Sequence, residues 1–257
     1  MRRRGRSRIA AAAVLVLVSG MTIARIRAGT RPPLWPEEPA ETRLITDQPW
    51  ASVPSHGWRA IWGPSRVRQD AAAPGSPPGV LEITYPAGFE GGSAPGTVVK
   101  RLPSLREVYV GLWWQAPVGW QGHNSNVNKI EFLFPAEGGD ITLVMYGPPE
   151  GPFTLQVLPQ FQGHPSEWLL PDAYPAEVTL GEWHRIEWLV VMSSREGAAD
   201  GICRWWLDGR LQGDYSQLSF PATTFTEYKL SPTWGGVGDR KRQAESFRFD
   251  HTRISGR

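Results

Sequence analysis

The chain has 257 residues, with 28 glycines, 24 prolines, 13 tryptophans and one cysteine, so turns are frequent and an internal disulfide is excluded. The formal net charge is +2, but residues 1–28 hold seven arginines and no acid, and the remainder carries 20 basic against 25 acidic residues, net −5. Such a domain lacks the basic footprint of a nucleic-acid binder, and no zinc-finger, phosphate-loop or dinucleotide pattern is present, so nucleic acid is not an expected partner.

Met1–Arg8 holds five arginines, Ile9–Val18 is wholly apolar, and the small residues that follow allow cleavage after Ala24 or Ala28. This reads as a secretory signal, because the apolar run is short of the ~20 residues a membrane span needs. The expected location is therefore secreted or periplasmic, with a membrane as partner only if the segment stays uncleaved as an anchor. Residues 29–50, proline-rich and acidic through Thr30–Glu41 (TRPPLWPEEPAE), read as an extended linker, and residues 51–257 as one domain.

After the Pro/Gly loop Asp70–Gly79, strand signals follow at short spacing: Val80–Tyr85, Thr97–Leu102, Glu107–Trp114, Val127–Phe134, Asp140–Tyr146, Phe153–Leu158 and Trp183–Met192. Ile202–Leu207 runs into the hairpin pair Asp208-Gly209 and returns through Arg210–Gln212; Tyr228–Leu230 and Ser246–Ile254 complete the series. No long stretch repeats apolar residues at helical spacing. The pattern predicts an all-β, two-sheet antiparallel sandwich of jelly-roll type. In Val127–Phe134, alternation puts Ile130, Phe132 and Phe134 on a buried face and Lys129, Glu131 and Leu133 on a charged one. Cys203, in a tryptophan-rich strand, reads as a buried apolar residue.

Leu180–Gln212, with a Gly-x-Trp-His strand and a later Trp-x-Asp-Gly, and Phe225–Gly236 (FTEYKLSPTWGG) resemble the concanavalin A-like lectin and glucanase superfamily, especially its jelly-roll polysaccharide lyases. The resemblance covers about residues 51–257 and implies a protein that engages a polysaccharide. Two activities follow from it: carbohydrate binding, or lyase cleavage of a uronate polymer by β-elimination. Departures accompany it. Thr233 stands where such lyases carry a tyrosine, Asn128-Lys129-Ile130-Glu131 replaces a Gln-x-His pair, and the paired carboxylates of a glucanase are missing. No cofactor and no metal ligands are indicated, although jelly rolls leave room for a structural calcium held by scattered oxygens.

The densest polar cluster is Gln121–Phe132 (QGHNSNVNKIEF). A sugar site needs planar amides for hydroxyl pairs and an aromatic ring for the apolar sugar face. Trp120, Gln121, Asn124, Asn126, Asn128 and Glu131 supply that chemistry, and Trp234, between Pro232 and Gly235, is a second ring candidate. A lyase also needs a base, a group that neutralises the uronate and an acid for the leaving oxygen. His123, Lys129, Tyr228 and Lys229 are the candidates for those roles. The competing reading is a polar turn, because Asn and Gly favour turns unaided. The sequence leaves the two level.

Overall fold

Period-two alternation of apolar residues becomes strands here wherever β-branched and aromatic residues lie between turn residues. The computed structural model describes residues 34–52, 57–62, 65–172 and 175–257; the expected signal segment lies outside them. The described residues form fourteen strands and no helix: β1 (Arg43–Gln48), β2 (Trp58–Trp62), β3 (Ser65–Gln69), β4 (Gly79–Tyr85), β5 (Thr97–Leu105), β6 (Glu107–Gln115), β7 (Val127–Pro135), β8 (Gly139–Tyr146), β9 (Thr154–Phe161), β10 (His184–Val191), β11 (Gly201–Leu207), β12 (Arg210–Leu218), β13 (Phe225–Leu230) and β14 (Glu245–Gly256).

They make two antiparallel sheets. One runs β12-β11-β10-β6-β14-β4-β3, with β1 also paired to β14; the other runs β2-β5-β13-β7-β8-β9. The inward side chains of both build one core, with Trp50, Trp58, Trp114, Trp188 and Trp205 among its largest members. The expected all-β jelly-roll sandwich is what forms. Asp208 (φ 53°) and Gly209 (φ 80°) both take the left-handed conformation that a two-residue hairpin requires. The Asp208 carboxylate braces that turn by accepting from the Arg185 amide at 2.8 Å and from His184 Nδ1 at 2.7 Å.

Two findings depart from the sequence reading. Residues 34–48 belong to the sandwich. Trp35 packs with Tyr109, Leu189, Val191 and Trp206 on the outer face of the eight-stranded sheet, over Gly111, where a Cβ would come within 2.5 Å of its ring. Glu37 donates its amide to Glu187 at 3.0 Å, Glu38 pairs with Arg253 at 2.7 Å, and β1 completes the strap. Proline and charge made this segment read as linker; its one tryptophan ties it down.

The second departure is a bulge in β7. Lys129 faces Val144 while Glu131 faces Leu143, so one extra residue is inserted against β8. A one-residue slip exchanges faces. Ile130 and Leu133 point into the core, whereas Phe132, in register with Thr142 and Lys229, points out. Glu131, in register with the core residues Leu143 and Leu230, turns inward and is fully buried, and it accepts a hydrogen bond from the Tyr228 hydroxyl.

Burial pushes the Glu131 carboxyl up to about 8, against a smaller opposing effect of the Tyr228 bond. The folded state therefore keeps a proton that the unfolded chain loses from about pH 4.5 upward. This contribution to stability is complete below pH 4.5 and is lost as pH rises through 8. Glu131→Gln keeps the acceptor for Tyr228 and has no proton to lose. Denaturant unfolding at several pH values should show wild type losing on the order of 4 kcal/mol relative to the variant between pH 4.5 and 8. Equal slopes would refute the buried acid.

Candidate functional site

The polar cluster of residues 121–128 is spent on holding loops together. His123 is 3% exposed. Its Nδ1 accepts from the Ser125 amide at 3.0 Å and meets the Ser125 hydroxyl at 2.8 Å, while Nε2 faces Asp239 at 3.4 Å. Asn124 donates its amide and its side-chain nitrogen to the same Asp239, at 2.9 and 2.6 Å. The Gln121 side chain bridges the Arg240 carbonyl and the Arg242 amide. Asn128 is buried and accepts from Trp120 Nε1 and the His123 amide, both at 3.3 Å. Asn126 adopts φ 65° and closes a turn onto the His123 carbonyl at 2.8 Å, as the turn chemistry of asparagine allows.

Trp120 is 2% exposed and Trp234 is 0%, so neither ring offers a face to a sugar. Both rings serve a different partner. The Lys241 side chain is buried, with its Nζ 3.2 Å from the Trp120 ring centre, 4.6 Å from Trp234 and 5.2 Å from Tyr85. That ammonium also donates to the Gln121 carbonyl at 2.7 Å and to Glu245 at 2.5 Å. Burial lowers the Lys241 pKa to about 8, against the opposing pull of Glu245. No local pattern marks this cage, because its parts lie up to 156 positions apart, from Tyr85 to Lys241.

The catalytic expectations separate as well. Tyr228 is fully buried, and burial, with Glu131 beside it, raises its pKa well above the usual range. It cannot reach a polymer from the core. Lys129 and Glu131 do not point together, because the bulge sends them to opposite faces. Among the described contacts, no hydrogen bond or ring contact joins His123 to Lys129, Tyr228 or Lys229. Among the described residues, no three His, Cys, Asp or Glu side chains are grouped to hold a metal ion.

Lys129 and Lys229 do share a surface, the outer face of the six-stranded sheet. One row crosses all six strands in register: Arg59, Val99, Lys229, Phe132, Thr142 and Leu158. Beside it stand Arg101, Glu227 and Phe134, and on the other flank Lys129, Val144 and Gln156. Phe132 and Phe134 stack with centroids 5.8 Å apart. Lys229 lies 3.9 Å over Phe134 and pairs with Glu227 at 2.8 Å, remaining 23% exposed. Lys129 donates to Gln160 at 3.2 Å, and burial lowers its pKa although Asp140 opposes this. Four cations (Arg59, Arg101, Lys129, Lys229) stand on this face against Glu227 and Asp140. Arg59 and Arg101 were not anticipated; the register that aligns them is set by pairing that single-strand patterns do not reveal.

This architecture is the concanavalin A-like jelly roll. No family model matches the sequence and no curated protein is similar to it. Solved structures do share the fold. An endo-β-1,4-glucuronan lyase from the fungus Trichoderma reesei superposes with a TM-score of 0.57 at 13% identity, covering 84% of this chain and 96% of that one. The cellulose-induced protein Cip1 gives 0.55 at 12%, over 81% and 96%. A mutant of the alginate lyase Aly36B in complex with alginate trisaccharide gives 0.54 at 12%, over 69% and 82%.

Removing one partner of a buried ion pair leaves the other charge uncompensated. Lys241→Met should cost about 3 kcal/mol or more in denaturant unfolding. Adding Glu245→Gln should return about 2 kcal/mol of that loss, since no charge then stays buried. A single variant as stable as wild type would show that the cage is not integral.

Proposed function

We propose that this protein binds a polysaccharide along the outer face of the six-stranded sheet. The observation that carries the reading is the cross-strand row from Arg59 to Leu158, with the stacked pair Phe132–Phe134 and the amides Gln156 and Gln160 around it. Phe132 is 7% exposed, so the half-buried Phe134 is the ring that suits the apolar face of a sugar, while amides suit its hydroxyl pairs and the lysines and arginines its carboxylates. A face with two more cations than anions, on a domain of net charge −5, favours a polymer bearing acidic groups. The likeness in fold to an alginate lyase in complex with alginate and to a glucuronan lyase supports the same class of ligand.

Binding is preferred over β-elimination because the six strands contain no histidine, and Tyr228 and His123 are buried away from this face. Tyr146 reaches its margin, but its ring is engaged by Trp168 at 5.2 Å. The arginine-rich and then apolar first 28 residues support export, which N-terminal sequencing of protein isolated from its native host would test.

Affinity electrophoresis of the full chain through a panel of acidic and neutral polysaccharides tests the reading, with ultraviolet absorbance of unsaturated product followed in parallel. Retention on an acidic polymer is expected, weakened about tenfold, or about 1.4 kcal/mol, in Arg101→Ala with Lys229→Ala. Tyr228→Phe should bind as wild type does. Lack of retention on every polymer sinks the proposal, and a rise in absorbance makes the protein a lyase instead.

A further inference from the structure

A second polar hollow lies across the sandwich, on the outer face of the eight-stranded sheet where it meets the loops after β6 and before β14. It measures about 410 Å³ and is lined by Arg68, Gln115, Gln243, Ser246 and Arg248, with Glu82 at its base. Glu82 is buried and draws three guanidinium groups: Arg68 at 2.7 Å, Arg248 at 3.3 Å and Arg66 at 3.9 Å. Arg248 also reaches Asp70 and the Gln115 side-chain oxygen, both at 3.4 Å.

Three guanidinium groups meet the carboxylates of Glu82 and Asp70, and Glu245, which also lines the hollow, is matched by the buried Lys241, so one positive charge is left over. One arginine would neutralise Glu82. A guanidinium carries five N–H donors in a rigid fork. Arg68 commits one nitrogen to Glu82, and Arg248 commits Nε and Nη1, so further donors of both remain for an incoming group. The two side chains are 53% and 35% exposed, so that group can reach them. Glu82 holds the forks in place from beneath, which is the preorganisation that oxyanion binding requires.

A neighbouring hollow of about 330 Å³ shares Gln243 and Glu245 with it and is also lined by Gln121, Glu150 and Arg242. A bare ion would not fill either volume. The Gln243 amide lines both hollows and suits a hydroxyl-bearing ligand, whereas the Gln121 amide is spent on Arg240 and Arg242 and the Gln115 amide on Gly181 and Arg248. We infer that this trench is an anion-anchored saccharide site, in which Arg68 and Arg248 take a carboxylate or sulfate group and the Gln243 amide faces the sugar body. It does not depend on polysaccharide binding at the six-stranded sheet.

Isothermal titration of the full chain with glucuronate, glucose and sodium sulfate tests it. Glucuronate should bind at least tenfold more tightly than glucose, and sulfate should compete with it. Arg68→Gln and Arg248→Gln should each weaken glucuronate at least fivefold, while Arg195→Gln, an exposed arginine after β10, should not. Binding of glucose as tight as that of glucuronate, no binding at all, or full affinity in both arginine variants overturns the site. If both variants unfold, Gln243→Ala decides: weakened glucuronate supports the site, and unchanged affinity overturns it.

Discussion

The buried ammonium of Lys241 is the constraint around which one end of the sandwich is organised. Taking an amine out of water costs several kcal/mol unless its donors are met. Here they are met by Glu245 four residues on, by the Gln121 carbonyl and by the π faces of Trp120, Trp234 and Tyr85. Those partners come from three separate parts of the chain: β4, the loop between β6 and β7, and the stretch from the loop after β13 to the first residue of β14. The bonds radiating from the cage are equally long-range, with Trp234 Nε1 on the Gln121 carbonyl at 2.9 Å and the Tyr85 hydroxyl on the Pro232 carbonyl at 2.7 Å. Placing one cation therefore fixes the relative position of all three segments. The polar loop of residues 121–126 is rigid because it is the lid of that cage.

Most strands were legible because alternation and β-branched residues mark a half-buried pleat without help from distant partners. Glu107–Trp114, Val127–Phe134 and Trp183–Met192 fall within a residue or two of β6, β7 and β10. The strands β1, β2 and β3 were not seen, since Arg, Pro and Gly interrupt any apolar rhythm there and pairing to β14, β5 and β4 holds them. The candidate site was legible only in its residue types. Lys129 and Lys229 stand on an open face, but Trp120 and Trp234 went inward. Nothing local tells a tryptophan that stacks on sugar from one that stacks on a lysine more than a hundred positions away. The bulge at Ile130 is the sharpest case: two-residue alternation placed Phe132 inside and Glu131 outside, and one extra residue reversed both.

The two sheets divide their outer surfaces differently. The eight-stranded sheet is covered across part of its back by the segment around Leu34 and Trp35, while the polar corner around Glu82 lies elsewhere on it. On the six-stranded sheet Val99, Phe132, Thr142 and Val144 are buried, and Arg59, Arg101 and Gln160 are the exposed outward side chains. Its outward side chains form a continuous row only because five successive strand pairings keep register. Stability and recognition thus draw on separate parts of the fold: the tryptophans stabilise the interior and the strap, while the open sheet carries lysine, arginine, glutamine and phenylalanine.

The strap has a mechanical meaning. The chain enters the fold at Leu34 and Trp35, on the back of the eight-stranded sheet, while the row from Arg59 to Leu158 looks out from the opposite side. Tension arriving from upstream enters through Trp35 and then loads β1 along its length. β1 runs antiparallel to β14, with Arg43 opposite Gly256 and Gln48 opposite Thr252. Trp35 and the Glu38–Arg253 pair are the first contacts such a pull meets, and β1 then passes it to β14 in the middle of the sheet.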